Sequence, residues 1–184
     1  MALRIRRQLD RKAQADRLRA TVEDGLKLAM TDPLTGLFNR RYALPHLSRI
    51  AARALAENRP FAVMVLDIDR FKLVNDQYGH AAGDTVLREV ALRVKDNLRS
   101  VDLVARFGGE EFLVAMPDTD LTSARLAAER LRAVVENTPV TLPNGTGQVQ
   151  VTLSIGVAIG GLPDVEKETV ERLVDCADQA LLWS

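Results

Sequence analysis

Arg106-Phe107-Gly108-Gly109-Glu110-Glu111-Phe112-Leu113 is the stretch that decides the fold. Apolar residues flank a Gly-Gly pair, a hairpin signal because two glycines accept the positive φ angles of a tight turn. Strands are expected over 103–107 and 111–116, with carboxylates at the tip between them. Upstream, Val65-Leu66-Asp67-Ile68-Asp69 reads as a buried strand ending in two carboxylates. Strand alternation puts Asp67 and Asp69 on one face. Alone, the Gly-Gly-Glu-Glu run reads equally well as an ordinary charged loop. Facing a second acidic strand end, it suits two hard cations such as Mg²⁺. Two metals held by carboxylates are a recurrent means of phosphoryl or nucleotidyl transfer.

The rest of the chain supplies helices and strands around this hairpin. Residues 40–56 carry a helical stripe of Leu44, Leu47, Ile50, Ala51 and Leu55, and Pro60 precedes a strand over 61–68. Residues 82–98 form a second helix, with Val86, Leu87, Val90, Val94 and Leu98 inward. A third helix, capped by Asp120 or Thr122, reaches Glu136. Asn144-Gly145 offers another hairpin turn, 149–159 a strand rich in β-branched residues, and 168–183 a last helix. The core order is β-α-β-β-α-β, the split-βαβ or ferredoxin-like pattern of the α+β class. An antiparallel sheet with helices on one face is expected.

Ahead of this core, residues 2–29 lack proline and place Leu18, Val22 and Leu26 at i, i+4 spacing, so an N-terminal helix is expected. Its heptad is not sustained, which leaves a coiled coil unestablished. Arg4, Arg6, Arg7, Arg11, Lys12, Arg17 and Arg19 make it basic. It reads as a solvated helix or as a signalling stalk over 1–29, joined to an upstream receiver or sensor domain. Asp32-Pro33 ends it, because the residue before proline disfavours helical geometry.

Bulk properties narrow the class. One core is what 184 residues can bury beside a stalk. Lys and Arg total 25 and so do Asp and Glu, which gives no overall drive toward nucleic acid or anionic membrane. A lone cysteine, Cys176, excludes an intramolecular disulfide framework and reads as a small buried residue. No apolar run is long enough for a membrane span, and no signal-peptide apolar region opens the chain. A cytoplasmic location is expected.

These residues carry a resemblance. Gly108-Gly109-Glu110-Glu111-Phe112 resembles the signature of the GGDEF (diguanylate cyclase) family in its GGEEF form. Thr31-Asp32-Pro33-Leu34-Thr35-Gly36-Leu37-Phe38-Asn39-Arg40-Arg41, the run from Asp67 to Asp84, and Val151-Thr152-Leu153-Ser154-Ile155-Gly156-Val157-Ala158 agree with that family in order and spacing. With its basic leading helix the chain is most similar to the PleD-type response-regulator cyclases. The resemblance implies a fold shared with nucleotidyl cyclases and polymerase palms, over a domain at 30–184. It implies a nucleotidyltransferase that condenses two GTP into cyclic di-GMP with pyrophosphate release, working as an antiparallel homodimer. Two Mg²⁺ per site are implied, with Mn²⁺ as an alternative.

The resemblance also assigns residues. Asp67, the Ile68 backbone carbonyl and Glu110 match metal ligands, and Glu110 matches the group that helps deprotonate the attacking hydroxyl. Glu111 either shares the metal or holds the turn, while Asp69 is the weaker candidate ligand, with orienting the loop as its alternative role. Lys72 matches a phosphate-binding, catalytic lysine. Asn75 and Asp84 match guanine readers: a carboxylate suits the N1–H and N2–H₂ donors, which adenine does not pair side by side. Asp84 reads otherwise as a helix N-cap. Phe71, Gly108 and Gly109 border the substrate, with Phe71 packing into the core. Gly79 and Gly83 leave room for base or ribose. Arg99 and Asp102 form an R-x-x-D set resembling the family's inhibitory product site, supported by Arg130. His46 and His80 show no ligand spacing. The family continues past Leu181 with a lysine and Gly-Arg-Asn, so 182–184 read as an early end that reduces activity. The alternative is a weakly active or inactive cyclic di-GMP binding module.

Overall fold

The computed structural model describes residues 25, 29–145, 147–161 and 169–181. The stalk reading of 1–29 and the reading of 182–184 fall almost wholly outside them. In chain order the described elements are β1 (Phe38–Asn39), α1 (Arg40–Glu57), β2 (Phe61–Ile68), α2 (Phe71–Tyr78), α3 (His80–Asp96), β3 (Leu103–Arg106), β4 (Glu111–Pro117), α4 (Leu121–Glu136), β5 (Val140–Thr141), β6 (Gln148–Val149), β7 (Leu153–Gly160) and α5 (Val170–Leu181). Five strands form one sheet in the order β1-β3-β4-β2-β7, and β5 and β6 make a separate small hairpin. β2 runs antiparallel between β4 and β7, while β1 lies parallel to β3. The α+β, split-βαββαβ arrangement expected from the sequence is present.

The sheet is covered on both faces rather than one. Met64, Leu66 and Ile68 point to a core shared with Val86, Val90 and Val94 of α3 and Leu131 of α4. Their neighbours Val63 and Val65 point to a second core with Ala43 and Leu47 of α1 and Leu173, Val174 and Ala177 of α5. A strand buried on both faces has no need to alternate polar and apolar residues. In Phe61–Ile68 every side chain but Asp67 is buried. Each fully buried Phe, Leu or Ile contributes about 1.5–3 kcal/mol.

Local chemistry sets the ends of the elements. Asn39 caps α1 by accepting from the Tyr42 N–H at 3.0 Å, and Asn58 closes it in the left-handed region at φ 52°. Asp120 caps α4 through the Ser123 N–H at 2.8 Å. The expected helix over 82–98 is α3, which runs from His80 to Asp96; α2, ahead of it and separated by Gly79 at φ 81°, was not expected. The expected strand over 149–159 is likewise two, β6 and β7. Cys176 is exposed, not buried: the stripe that α5 buries is Val170, Leu173, Val174 and Ala177, and position 176 falls outside it.

Candidate active site

The register of β2 builds the acidic centre. Asp67 lies opposite Glu111 of β4 on one side and opposite Ser154 of β7 on the other. A half-buried carboxylate among other carboxylates resists ionisation. Burial first, then the charges of Glu110, Glu111, Asp69 and Asp178, push the Asp67 carboxyl up to about 6. Asp178, on α5, has no place in the sequence reading of the centre; only the packing of α5 against β7 and β2 brings it near.

The turn carrying Glu110 has a different basis from the expected one. Neither Gly108 nor Gly109 has a positive φ. A Cβ at Gly108 would lie 2.2 Å from Glu111 Oε2, so a larger residue there would displace that carboxylate. The turn is held by Arg106, whose Nε and Nη2 donate to the Gly109 carbonyl at 3.2 and 2.7 Å. The same guanidinium reaches Asp32 Oδ1 at 3.2 Å. Burial pushes the Asp32 carboxyl up, but hydrogen bonds from Thr35 and the charge of Arg106 more than offset this and hold it below the usual aspartate range. Arg106 thus joins the turn after residue 31 to the acidic tip, a link sequence reasoning missed because the partners are 74 positions apart.

Asn75 of α2 lies against Gly83 of α3, the residue before Asp84. A Cβ on Gly83 would fall 2.0 Å from Asn75 Oδ1 and 3.2 Å from Phe71 Cζ. Gly83 therefore makes room for the Asn75 side chain itself. Asp84, the next residue, lies within α3, which begins at His80 with Gly79 at its N-cap, so Asp84 is no cap. Phe71 is 7% exposed and belongs to the core, as expected. Lys72, next along α2, is exposed.

The R-x-x-D set stands before β3, at the opposite end of that strand from the Gly-Gly turn. Arg99 Nη2 lies 2.9 Å from Asp102 Oδ1 and donates to Thr119 Oγ1 at 2.9 Å and the Pro117 carbonyl at 3.2 Å. The Asp102 side chain is 0% exposed, and it also accepts from the Arg99 N–H at 2.8 Å. Asp102 holds Arg99 in place while Arg99 stays about half exposed. Arg130 donates to the Asn97 carbonyl at 2.9 Å.

Oxygen donors of this kind fit Mg²⁺. Among the described residues no three Asp, Glu, His or Cys side chains already form an ion-holding group. The crowding that raises Asp67 is what a bound cation would relieve. No described helix is long and apolar enough to cross a membrane.

Comparison with known proteins agrees with this geometry. The model of the diguanylate cyclase GGDEF domain matches residues 29–183. The response regulator PleD of Caulobacter vibrioides is 44% identical over 182 residues, covering 98% of this chain and 39% of PleD. The diguanylate cyclase DosC of Escherichia coli is 40% identical over 151 residues, covering 82% of this chain and 32% of DosC. The chain thus spans about two fifths or less of the length of these relatives. The coiled coil and GGDEF domain of Caulobacter crescentus DgcB, solved in complex with c-di-GMP, superimposes with a TM-score of 0.85 at 31% identity, over 96% of this chain and 91% of that one.

Proposed function

This chain belongs to the GGDEF family of diguanylate cyclases, and from that premise we propose that it condenses two GTP into cyclic di-GMP with release of pyrophosphate. The observation that carries the reading is the ladder pairing of Asp67 with Glu111, which sets the β2 carboxylate beside the Gly-Gly-Glu-Glu turn. Asp67, the Ile68 carbonyl, Glu110 and Glu111 would hold Mg²⁺. Bound there, the cation supplies positive charge to the triphosphate and to the oxyanion of the transition state.

The chain's own residues do the rest. Asn75 and Asp84 accept and donate to the guanine edge, with Asp84 taking the N1–H and N2–H₂ pair. Lys72 reaches a phosphate. Glu110 draws the proton from the 3′-hydroxyl. Two domains meet antiparallel, each presenting one GTP. Each 3′-oxygen forms a bond to the α-phosphorus of the other nucleotide as the bond to pyrophosphate breaks. Arg99 binds the product, its fork directed at guanine O6 and N7, with Asp102 and Arg130 supporting the site. Incubation with GTP and Mg²⁺, with chromatography of the nucleotides, tests the reading. Cyclic di-GMP is expected; binding of cyclic di-GMP without turnover of GTP would make the domain a sensor instead.

A further inference from the structure

Asp69 follows the last residue of β2 and precedes α2 by two positions. Both of its carboxylate oxygens are held from β7 and the residues leading into it. The Ser154 hydroxyl donates to Oδ1 at 2.6 Å and the Thr152 hydroxyl to Oδ2 at 2.5 Å. The Asp69 N–H donates to the Thr152 carbonyl at 3.0 Å. Three bonds therefore pin this residue just where the β2–β7 ladder ends at Ile68 and Leu153. Ser154 stands across the ladder from Asp67 yet gives its hydroxyl to Asp69, so one side chain ties both carboxylate positions to β7.

The residue after this lock is strained. Arg70 sits at φ 56° and ψ 29° and makes no side-chain cap bond to α2. A left-handed conformation costs a residue with a Cβ roughly 1–2 kcal/mol, and it persists where the surroundings over-determine it. The bonds at Asp69 are that over-determination. They fix the chain on both sides: backward to Asp67 and the Ile68 carbonyl, forward to α2 with Lys72 and Asn75.

We propose that Asp69 is a positioning residue, not a metal ligand: locked by Thr152 and Ser154, it sets the direction of Asp67 and the Ile68 carbonyl toward the cations and the placement of α2 beside them. This rests on the cyclase reading and deepens it. Groups that orient metal ligands in this way usually cost 10–100-fold in metal affinity when removed.

The test is Mn²⁺ affinity, read by electron paramagnetic resonance of free Mn²⁺ with a non-reactive GTP analogue present. The variants are D69N, T152V/S154A and their combination, with T152S as the conservative control. D69N and T152V/S154A are each expected to weaken Mn²⁺ binding about 10–100-fold. Their combination should be no weaker than the worse of the two, because both break one unit. T152S, which keeps the hydroxyl, should bind like the parent. Loss in D69N with none in T152V/S154A would make Asp69 a direct ligand and overturn the proposal. Additive losses, no loss in any variant, or no Mn²⁺ affinity in the parent chain would overturn it too. Circular dichroism checks folding, and single S154A against D69N carries the same comparison if the double variant does not fold. A parent chain that binds Mn²⁺ but makes no cyclic di-GMP would defeat the cyclase reading while leaving this comparison decisive.

Discussion

Asp67 and Glu111 face each other across the β2–β4 ladder, two carboxylates in one register position with Glu110 beside them. Burial first and the neighbouring negative charges next hold the Asp67 carboxyl up to about 6. The folded protein therefore binds this proton more tightly than the unfolded chain does. Its contribution to stability is full below the ordinary aspartate range and is lost as pH rises through about 6. In chelator, the melting temperature should fall across that window. Asp67→Asn should flatten this segment and raise the melting temperature at pH 7, while abolishing activity. A parent and variant with the same pH profile would contradict the account of the site's charge.

Glu110→Gln keeps the shape of the turn and removes a charge needed most in the transition state. The expected loss in kcat is about 100-fold or more, with GTP affinity changed far less. Steady-state kinetics separate the two. Equal losses in affinity and turnover would remove Glu110 from the catalytic role.

Gly83→Ala places a methyl where Asn75 Oδ1 now lies, 2.0 Å from the new atom. The asparagine is the movable partner, so the fold should survive and Asn75 should be displaced. Losing one hydrogen bond of about 0.5–1.5 kcal/mol should raise the KM for GTP roughly 2–12-fold, with thermal stability little changed. An unchanged KM would detach Asn75 from guanine recognition.

Gly156 faces a rigid neighbour. A Cβ there would lie 1.8 Å from the Ala177 carbonyl oxygen on α5. Backbone cannot step aside as a side chain can, so Gly156→Ala should destabilise by about 1–3 kcal/mol or more. Denaturant unfolding measures it. A neutral substitution would show that α5 packs less closely on β7 than described.

Arg99→Ala removes a half-exposed guanidinium, whose Nε and Nη2 already bond Asp102, Pro117 and Thr119, and leaves the buried Asp102 carboxylate with only the N–H of residue 99 among the bonds Arg99 now supplies. Cyclic di-GMP affinity should weaken by roughly 1–3 kcal/mol, and the melting temperature should drop as well. Calorimetry showing unchanged product affinity would end the inhibitory-site reading.

The sequence made some of this legible and hid the rest for physical reasons. Asp67 and the Gly-Gly turn were found because strand ends and turns leave local signals. The glycines were explained wrongly: Gly108 lies against the Glu111 side chain, a contact that no φ preference announces. α2 escaped because eight residues hold too few turns to establish a period, and a single residue, Gly79, separates it from α3. The two-faced sheet did leave a mark, since Phe61–Ile68 runs apolar without alternation up to Asp67. Arg106 with Asp32, and Asp69 with Ser154, are pairs 74 and 85 positions apart that only the fold joins.

Product stoichiometry separates a working cyclase from a cyclic di-GMP sensor. Purified protein is incubated with GTP and Mg²⁺, and cyclic di-GMP and pyrophosphate are measured together, with ATP and Glu110→Gln as controls. Two pyrophosphates are expected for each cyclic di-GMP, none from ATP, with a near-complete loss in the variant. Pyrophosphate without cyclic di-GMP, equal turnover of ATP, or undiminished activity in Glu110→Gln would contradict the cyclase reading.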